Sequence, residues 1–584
     1  MHRHRHPATA TLSALCLAHF LAWPLTAADH TARRFGALPN DARDDTRALQ
    51  QAVDACQPGD RLVLEPGVYD LTSRITLAAK RDVEWAGQGA ELVMRGYNRE
   101  TDQGSFTLLT VRNCQNIRLR DFTVDQQPSR HLDGTVVAVG QDHFDLQVFP
   151  EFLPITGRVR IGIMMNYRPD GTPDGRHFNT EKHEGVELLR PDTLRIRTPL
   201  ARHLKTGEGI VIRHNPYGPN VMGVDGCTGV SLSNVCLYAG GMGLAATRTA
   251  NLTLDRFQIN YRPGTQRLMS ANADGVHLNM CSGQITLTNC VLQGMGDDCI
   301  NIHGMWARAT TLDSPARTVR LEAGTRHTRK GRIYPDWAKP GEQLEFYDLD
   351  VLSRGTATVD TVRQEGDELV VTLNALPPAL APGDLVENAT CIPSVRVSGC
   401  TLGRNRARGF LCQVREALIE NNTFEHTSSG GLWILTDAHY WFESGPARRV
   451  TVRGNTFRGC NRGETFREGA LVVFNENRGW MRYGVAGSMR GITIENNSFL
   501  DTDASAIYVA SGQDIVIRSN RIDQVSLNPG PFTNSGLCAI YLRDTRGAHV
   551  TGNSFHNIQL PFGQTNCSQV ISTAGGAANT QRSR

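Results

Sequence analysis

The stretch ITIENNSF at residues 492–499 carries the pattern that decides the fold of this 584-residue chain. Apolar and polar residues alternate over its first four positions, and two asparagines, a serine and a phenylalanine follow. Similar stretches recur along the chain as LIENNTF at 418–424, VTVRGNTF at 450–457 and VTGNSF at 550–555. Copies that end in cysteine are VSLSNVC at 230–236, ITLTNC at 285–290 and VRVSGC at 395–400.

Each copy predicts a short strand with one apolar face, followed by a turn. A unit this small cannot bury its apolar face alone, so successive units must stack into a solenoid. Asparagine suits the turn because it tolerates the left-handed backbone conformation, and its side chain can hydrogen-bond the next coil. The repeat therefore predicts an all-β chain built as a right-handed parallel β-helix.

The start of the mature chain also fits a solenoid. RFGA at 34–37 and DDT at 44–46 lead into an amphipathic segment at 46–56, and DRLVLEPGVY follows at 60–69. This order resembles the opening of pectin-lyase-like β-helix proteins. The resemblance implies that a short helix caps the first coil and protects the open end of the core.

Two stretches interrupt the repeat, at about 133–213 and about 305–392. Both contain alternating segments without the coil pattern, such as FDLQV at 144–148 and LVVTL at 369–373. We expect each to form a small antiparallel barrel or sandwich inserted between coils. The predicted organisation is a signal peptide at 1–28, a cap and first coils at 29–132, a first insertion at 133–213, coils at 214–304, a second insertion at 305–392, coils at 393–560 and a tail at 561–584.

The N-terminus has the pattern of a secretory signal. Arg3 and Arg5 precede a mostly apolar stretch at 11–25, and small residues follow. The stretch is too brief to span a membrane comfortably, and no other long apolar run appears. We expect an exported chain, periplasmic or secreted, without a membrane span. Removal of 1–28 takes two arginines and no acid, so the formal net charge falls from +3 to +1. That charge predicts no strong attraction for nucleic acid and weakens the case for polyanionic sugars.

Cysteine is frequent, with 14 residues, of which Cys16 lies in the signal. An exported chain could form disulfides, but Cys236, Cys290 and Cys400 follow the repeat. We expect small buried thiols stacked in the core. No His/Cys spacing indicates a zinc site.

Three acids stand out as candidate catalytic residues. Asp297 and Asp298 lie in GDDCINIHG at 296–304, and Asp274 lies 23 residues before Asp297, about one coil away. Because stacked strands are about 4.8 Å apart, these carboxylates can converge on one outer face. Hydrolysis of a glycosidic bond needs a protonated acid and a base, separated by roughly 6.5–9.5 Å for direct attack by water and about 5–5.5 Å for a covalent route.

Crowding three acids raises the pKa of at least one of them, which keeps a proton available for donation. Two plainer interpretations compete with catalysis. Each motif taken alone is a common acidic turn, and clustered carboxylates can also bind Ca2+.

Asn-x-Asp followed one coil later by Asp-Asp resembles the polygalacturonases of glycoside hydrolase family 28. Those enzymes continue with Gly-His-Gly and Arg-Ile-Lys, whereas here NIHG at 301–304 runs into an insertion. GMGDDCINIHG at 294–304 more closely resembles the Asp-Asp-Ala-Ile-Asn-Val-His-Gly segment of the α-1,3-galactosidases of glycoside hydrolase family 110, with Cys299 in place of alanine. YWFESG at 440–445 and a β-helix with two inserted barrels also resemble that family.

The resemblance to family 110 implies an exo-acting, inverting glycosidase that releases terminal α-1,3-linked D-galactose from glycans, of blood-group B type or linear. It implies that Asp274, Asp297 and Asp298 are the catalytic acids. By analogy with the polygalacturonases, we expect Asp297 to be the general acid. Asp274 and Asp298 would then hold and deprotonate the attacking water.

Further polar and aromatic residues near the acids, or on later coils, could bind the sugar, although structural roles are a plain alternative for each. These candidates are His277, Asn301, His303, Arg408, Trp433, Asp437, Trp441 and Glu443. No motif indicates a nucleotide, flavin or haem, and we expect no cofactor and no metal. Two other functions stay open, a family 28-like hydrolase of acidic polysaccharide and a non-catalytic β-helix that binds glycans, such as an adhesin. The oligomeric state does not follow from the sequence.

Overall fold

The computed structural model describes residues 27–155, 157–179, 183–238, 240–323, 333–463, 468–477, 484–527 and 538–573. The predicted signal peptide falls almost entirely outside this part of the chain. Within it, no helix is both long and apolar enough to cross a membrane.

Most of the chain winds as a parallel β-helix, as the repeat predicted. One 23-stranded sheet holds the repeat strands. Its strands are Asp29–Thr31, Arg61–Val63, Val68–Leu71, Arg81–Met94, Gln115–Gln126, Thr228–Leu237, Ala250–Asp255, Gln258–Ile259, Ser282–Thr288, Val291–Gln293, Ser394–Ser398, Thr401–Gly403, Glu416–Glu420, Thr423–Glu425, Arg449–Arg453, Thr456–Arg458, Met489–Glu495, Ser498–Leu500, Gly512–Arg518, Arg521–Asp523, Arg546–Thr551, Ser554–His556 and Ser568–Ser572.

A second column of parallel strands completes each coil and bears the candidate site. Its strands are Ile75–Ala78, Leu109–Arg112, Met222–Asp225, Leu244–Thr247, Val276–Asn279, the first part of Ile300–Asp313, Phe410–Cys412, Leu432–Asp437, Gly469–Glu476, Ser505–Ala510, Cys538–Arg543 and Leu560–Thr565. The short strand Glu443–Ser444 pairs antiparallel with this column.

The register confirms the stacking of the repeats. Ile419 pairs with Val452, which pairs with Ile494 on the next coil. The phenylalanines after the turns stack as well, with ring centroids 4.6 Å apart for Phe424 and Phe457. These side chains belong to one buried apolar core that runs through the coils.

The two residues of each turn have different roles. The first, such as Asn496, has a left-handed backbone with φ of 55°. The second is an asparagine, and its Oδ1 accepts from the backbone N–H and the side-chain amide of its counterpart on the coil before. This ladder runs through Asn422, Asn455, Asn497, Asn520 and Asn553.

The helix Thr46–Ala55 lies at the N-terminal end of the solenoid. It contacts the strands Asp29–Thr31 and Ile75–Ala78. Leu49, Ala52 and Val53 are buried in the main core, so the helix covers the first coil as the resemblance implied. Short 3-10 helices occur at Ala32–Phe35, Pro150–Phe152, Pro199–His203 and Ala389–Cys391.

Antiparallel strands occupy both stretches that break the repeat. The first forms a seven-stranded sheet from His131–Val139, His143–Val148, Ile163–Tyr167, Pro173–Asn179, Gly185–Arg190, Thr193–Arg197 and Gly209–Arg213. In the second, the end of Ile300–Asp313 pairs in a closed ring with Thr318–Glu322, Glu368–Leu373, Ser353–Glu365, Gln343–Tyr347 and Leu385–Asn388. Each has its own apolar core. The boundaries of these insertions as domains stay a prediction.

Coils continue beyond residue 560, where the sequence analysis placed a tail. Leu560–Thr565 and Ser568–Ser572 pair in parallel with strands of the preceding coil. The repeat is hard to read there because much of Ser568–Ser572 is exposed and its residues do not alternate clearly.

The expectation of buried thiols is confirmed. In the described part of the chain the cysteines are free and buried, apart from the partly exposed Cys567. The backbone N–H of Cys290 donates to Sγ of Cys400, on the next coil, over 3.4 Å.

Candidate active site

The register of the second column brings the three acids together. Val276 pairs with Ile300, and Ile300 pairs with Phe410. Each of these three paired residues is preceded, two positions earlier, by a charged residue: Asp274, Asp298 and Arg408. The three charged residues therefore lie above one another on three coils. The backbone N–H of Asp298 donates to Oδ1 of Asp274 over 3.2 Å. One oxygen from each of Asp274, Asp297 and Asp298 lies within 4.8 Å of the others.

Asp298 is the most enclosed of the three acids, with 2% of its surface exposed. Its Oδ1 accepts from the backbone N–H of Arg408, and its Oδ2 accepts from Nη2 of Arg408, both over 2.8 Å. Burial raises the pKa of Asp298 well above its usual value, against the opposing charge of Arg408, and the charges of Asp297 and Asp274 raise it further. The cluster therefore retains a proton at pH values where an isolated carboxyl group has lost it.

The other two acids also have cationic or potentially cationic partners. Nη1 of Arg406 lies 3.0 Å from Oδ1 of Asp297, whose side chain is 20% exposed and faces the solvent-accessible side of the cluster. Nδ1 of His277 lies 2.7 Å from Oδ2 of Asp274. These partners neutralise charge where three crowded carboxylates would otherwise repel one another.

Two histidines connect the acids to Glu443. Nε2 of His277 lies 2.9 Å from Nε2 of His303, and Nδ1 of His303 lies 2.7 Å from the carbonyl oxygen of Gly304. Oε1 of Glu443 is 3.6 Å from Nε2 of His303, and the amide of Gln413 donates to the other oxygen of Glu443. Burial acts to raise the pKa of Glu443, but His303 and His277 outweigh it, and the pKa lies below its usual value.

A cavity of about 520 Å³ opens over this cluster. Its wall includes the three acids and the predicted residues His277, Asn301, Arg408, Trp441 and Glu443. Oδ1 of Asn301 is buried without a hydrogen-bond partner among the described residues. Trp441 is 53% exposed and presents its indole at the mouth.

Three of the predicted binding residues lie outside the cavity wall. His303 is buried behind His277. Trp433 is covered by the guanidinium of Arg408, whose Cζ lies 5.3 Å from the ring centroid.

Asp437 is the third predicted binding residue that lies outside the cavity wall, and its hydrogen bonds explain why. Its carboxylate accepts the backbone N–H groups of His439, Tyr440 and Trp441 at 2.6–2.8 Å. It therefore shapes the turn 438–442 and does not face the cavity.

Several residues of the cavity wall were not predicted from the sequence, namely Tyr217, Met242, Arg406, Leu411 and Tyr440. Arg406 could have been found, because it stands two residues before Arg408 on the same turn. Tyr217 follows the first antiparallel sheet, and no repeat predicts where that loop returns to the coils.

The first antiparallel sheet contacts the turn that carries Asp297 and Asp298. Its last residue, Arg213, is buried, and Nη1 donates to the carbonyl oxygen of Gly296 over 3.4 Å. Burial and the nearby charge of Arg406 lower the pKa of Arg213 to about 10. Gly296 leaves no room for a side chain, since an added Cβ would lie 2.4 Å from the carbonyl oxygen of Asn272.

The arrangement has the parts that acid–base hydrolysis requires. It holds a carboxyl group with a raised pKa, further acids within hydrogen-bonding range, and a cavity large enough for sugar rings. The acids are also close enough to chelate a cation, but each already has a partner in Arg406, Arg408 or His277.

Comparison with known proteins places this geometry in context. The family model "Right handed beta helix region" matches residues 386–575. Alpha-1,3-galactosidase A of Bacteroides fragilis is 25% identical over 569 residues, which cover 89% of this chain and 91% of that protein. Alpha-1,3-galactosidase A of Shewanella woodyi is 26% identical and covers 89% and 90%. Alpha-1,3-galactosidase B of Phocaeicola vulgatus is 28% identical and covers 77% and 79%.

Among solved structures, the family 28 exopolygalacturonase of Yersinia enterocolitica is 12% identical, with a TM-score of 0.44 over 93% of this chain and 78% of that one. The relatives in sequence confirm the resemblance to the α-1,3-galactosidases and the expectation of a glycosidase. The family model agrees with the right-handed parallel β-helix.

Proposed function

We propose that this chain, a glycosidase related to the α-1,3-galactosidases over most of its length, releases terminal α-1,3-linked galactose from glycans. The observation that carries the proposal is the cluster of Asp274, Asp297 and Asp298 on the floor of a sugar-sized cavity. The substrate is proposed from the relatives, which are α-1,3-galactosidases. A non-catalytic glycan-binding protein has no need of an acid with a raised pKa.

In the proposed reaction, Asp297 donates a proton to the glycosidic oxygen as the bond to the anomeric carbon breaks. It is the most exposed of the three acids, so a leaving group in the cavity can reach it. Asp274 and Asp298 hold a water molecule, and Asp274 accepts its proton as the oxygen attacks the anomeric carbon. The proton that Asp298 retains belongs to the coupled cluster, from which Asp297 is reloaded.

The residues around the acids supply the means to hold a galactose ring. Glu443 lines the cavity, and its carboxylate can accept a hydroxyl proton. Trp441 offers an aromatic face to the apolar face of a pyranose. The exo mode belongs to the proposal and rests on the resemblance to family 110.

The test is galactose release from three α-1,3-galactosides assayed side by side, a linear disaccharide, a fucosylated branched trisaccharide and an algal-type galactan oligomer. We expect free galactose from at least one of them. A folded protein that releases no galactose from any α-galactoside would refute the proposal. Release of galacturonate from a polygalacturonide instead would favour family 28-like chemistry.

We also propose that the enzyme is exported, to the periplasm or beyond the cell. Support comes from Arg3, Arg5 and the apolar stretch at 11–25. Expression of the full chain in a bacterial host, followed by fractionation and mass determination, tests this. We expect cleavage near residue 28, and retention of the uncleaved chain in the cytoplasm would contradict it.

A further inference from the structure

His277 and His303 form a contact that the proposed reaction does not explain. They lie on adjacent strands, with ring centroids 5.0 Å apart and ring planes at 83°. Their Nε2 atoms are 2.9 Å apart. Two nitrogens at this distance share one hydrogen, because one must donate and the other must accept.

The outer nitrogens of the pair face acceptors at both ends. Nδ1 of His277 faces Oδ2 of Asp274 at 2.7 Å, and Nδ1 of His303 faces the carbonyl oxygen of Gly304 at 2.7 Å. A carbonyl oxygen and a carboxylate oxygen accept only. The chain of contacts therefore needs three hydrogens on four ring nitrogens, and two neutral imidazoles carry only two.

The third hydrogen has one other place, which is Asp274 itself. A free imidazole holds its proton to about pH 6.5 and a free aspartic acid only to about pH 3.9, so the histidine is the stronger base. The second oxygen of Asp274 accepts the backbone N–H of Asp298, a bond that favours the ionised carboxylate. Both facts place the proton on the histidine pair.

We propose that the His277–His303 pair carries one positive charge and holds Asp274 as an ionised, oriented carboxylate. The histidines are thus positioning residues, whereas the sequence analysis expected them to bind the sugar. The role of Asp274 as the water-activating base rests on the proposed function. The charge on the pair does not.

The electrostatic surroundings of the pair agree with this assignment. The groups that face it are Asp274, Asp298 and Glu443, with Arg408 on the coil beyond. Burial acts to lower the pKa of His277, but the bond to Asp274 and the nearby acids outweigh it and the pKa is raised. Burial lowers the pKa of His303, since Glu443 compensates only in part. The charge therefore resides mainly on His277, and His303 is its neutral acceptor.

The first test reads the charge directly and needs no substrate. Nitrogen-15 NMR of histidine-labelled protein, assigned with His277→Asn, reports the ring protonation across pH. We expect His277 to remain an imidazolium above the ordinary midpoint of about 6.5. A His277 signal that is neutral at pH 6 would overturn the proposal, whether or not the protein hydrolyses galactosides.

The second test is the pH profile of kcat/KM in variants of the pair. His277→Asn keeps a hydrogen-bond donor to Asp274 but removes the positive charge. His303→Leu removes the nitrogen that accepts from His277, and with it the need for a third hydrogen on the pair. We expect both to move the acidic limb to higher pH by about one unit, because the base has lost the cation that favours its ionised form. Loss of activity at every pH without movement of the limb would reduce the histidines to a structural role.

The matched control is His549→Asn, which makes the same chemical change at an exposed position on the outer strand Arg546–Thr551. It should leave the profile unchanged. Melting temperatures of all three variants separate misfolding from a change in the site. Unchanged profiles in His277→Asn and His303→Leu, with activity intact, would contradict the inference while the proposed function stands.

Discussion

At the scale of single residues, the cluster is organised as acids that alternate with cations. Asp297 pairs with Arg406, Asp298 with Arg408, and Asp274 with His277. Breaking a buried pair leaves an uncompensated charge in a poorly solvated site. Each of these three cations therefore contributes to the active site, although none of them needs to touch the reacting atoms.

Asp297→Ala tests the role of the general acid. A leaving group that departs without protonation does not need the acid, so an aryl galactoside with a good leaving group should keep far more of its rate than a disaccharide. General-acid catalysis is worth roughly 10²–10⁴-fold, and we expect a loss of that order on the disaccharide. Steady-state kinetics on both substrates measure it. Equal losses would assign the proton to another acid, with Asp298 the first alternative.

Arg408→Gln tests the electrostatic control of Asp298. Burial raises the pKa of Asp298 and Arg408 opposes that rise, so removal of the guanidinium should raise the pKa further. The protonated form then persists to higher pH, and the alkaline limb of kcat/KM should move upward while the maximal rate falls. An alkaline limb that stays in place or moves downward would show that Asp298 is not the group that titrates there.

The three acids could be predicted from the sequence because the coil repeat converts a spacing into proximity. The repeat does not say which neighbour each acid has. Arg408 was predicted to bind the sugar, and in the structure it lines the cavity while its guanidinium pairs with Asp298 and lies over Trp433. Asp437 was predicted as a sugar ligand because it lies on a later coil beyond the acids, whereas its carboxylate already accepts three backbone N–H groups.

At the scale of elements, the turn 438–442 forms one wall of the cavity. Phe442 is buried in a small core with Trp306 and Tyr347, and Asp437 anchors the other end of the turn. A wall built on a fixed turn presents Trp441 to the substrate at low entropic cost.

Asp437→Ala should release this turn. The backbone N–H groups of His439, Tyr440 and Trp441 lose their acceptor, so we expect KM for an oligosaccharide to rise several-fold with little change in kcat. Asp437→Asn, which keeps one acceptor oxygen, should fall between. If Asp437→Ala lowered kcat and left KM unchanged, the residue would belong to the chemistry and not to the wall.

The asparagine ladder stabilises the stack of coils. Asn455 is buried, and its side chain donates to Oδ1 of Asn497 and to the carbonyl oxygen of Ile419. An unsatisfied buried group costs about 1–3 kcal/mol, so Asn455→Ala should lower the free energy of unfolding by about that much in urea titration. Thr493→Ala, on the outer side of the coil, should change it by about 0.5 kcal/mol or less. If the two changes lowered the free energy of unfolding equally, the asparagine ladder would not be a specific source of stability.

The coils could be predicted because strand alternation and turn asparagines repeat along the chain. Their end could not, since Ser568–Ser572 is largely exposed and has no alternation to read. Which residue of a turn joins the ladder also depends on three-dimensional register, because the paired asparagines at 421–422 and 496–497 look alike in the sequence.

At the scale of the whole molecule, the antiparallel strands meet the solenoid around the cavity. The first sheet ends at Arg213 beneath the acidic turn, and the loop after it carries Tyr217 into the cavity wall. The antiparallel strands of the second interruption contribute Trp306 and Tyr347 to the core that contains Phe442. We infer that the solenoid supplies the acids and that the interruptions supply the shape of the site.

Tyr217→Ala tests this division. Tyr217 is 59% exposed at the cavity mouth, where it can contact the sugar that follows galactose. We expect KM to rise for a disaccharide and to change little for an aryl galactoside, while kcat stays within about twofold of the unmodified enzyme for both. The opposite selectivity would place Tyr217 against the galactose itself.

The general plan of the molecule follows from the sequence, because two stretches lack the repeat and therefore cannot be coils. Their effect on the cavity does not follow from the sequence, since Tyr217 lines the cavity and Trp306 packs against Phe442 through contacts between residues far apart in the chain. Substrate range depends on these contacts.

The most direct test of the account is a proton NMR time course of α-1,3-galactobiose with the enzyme. We predict that free galactose appears first as the β anomer, before it equilibrates with the α anomer, and that Asp298→Asn abolishes the signal without loss of fold. First appearance of the α anomer would contradict direct attack by water at this cluster. No galactose from the folded enzyme, or undiminished release by Asp298→Asn, would contradict the assignment of the site itself.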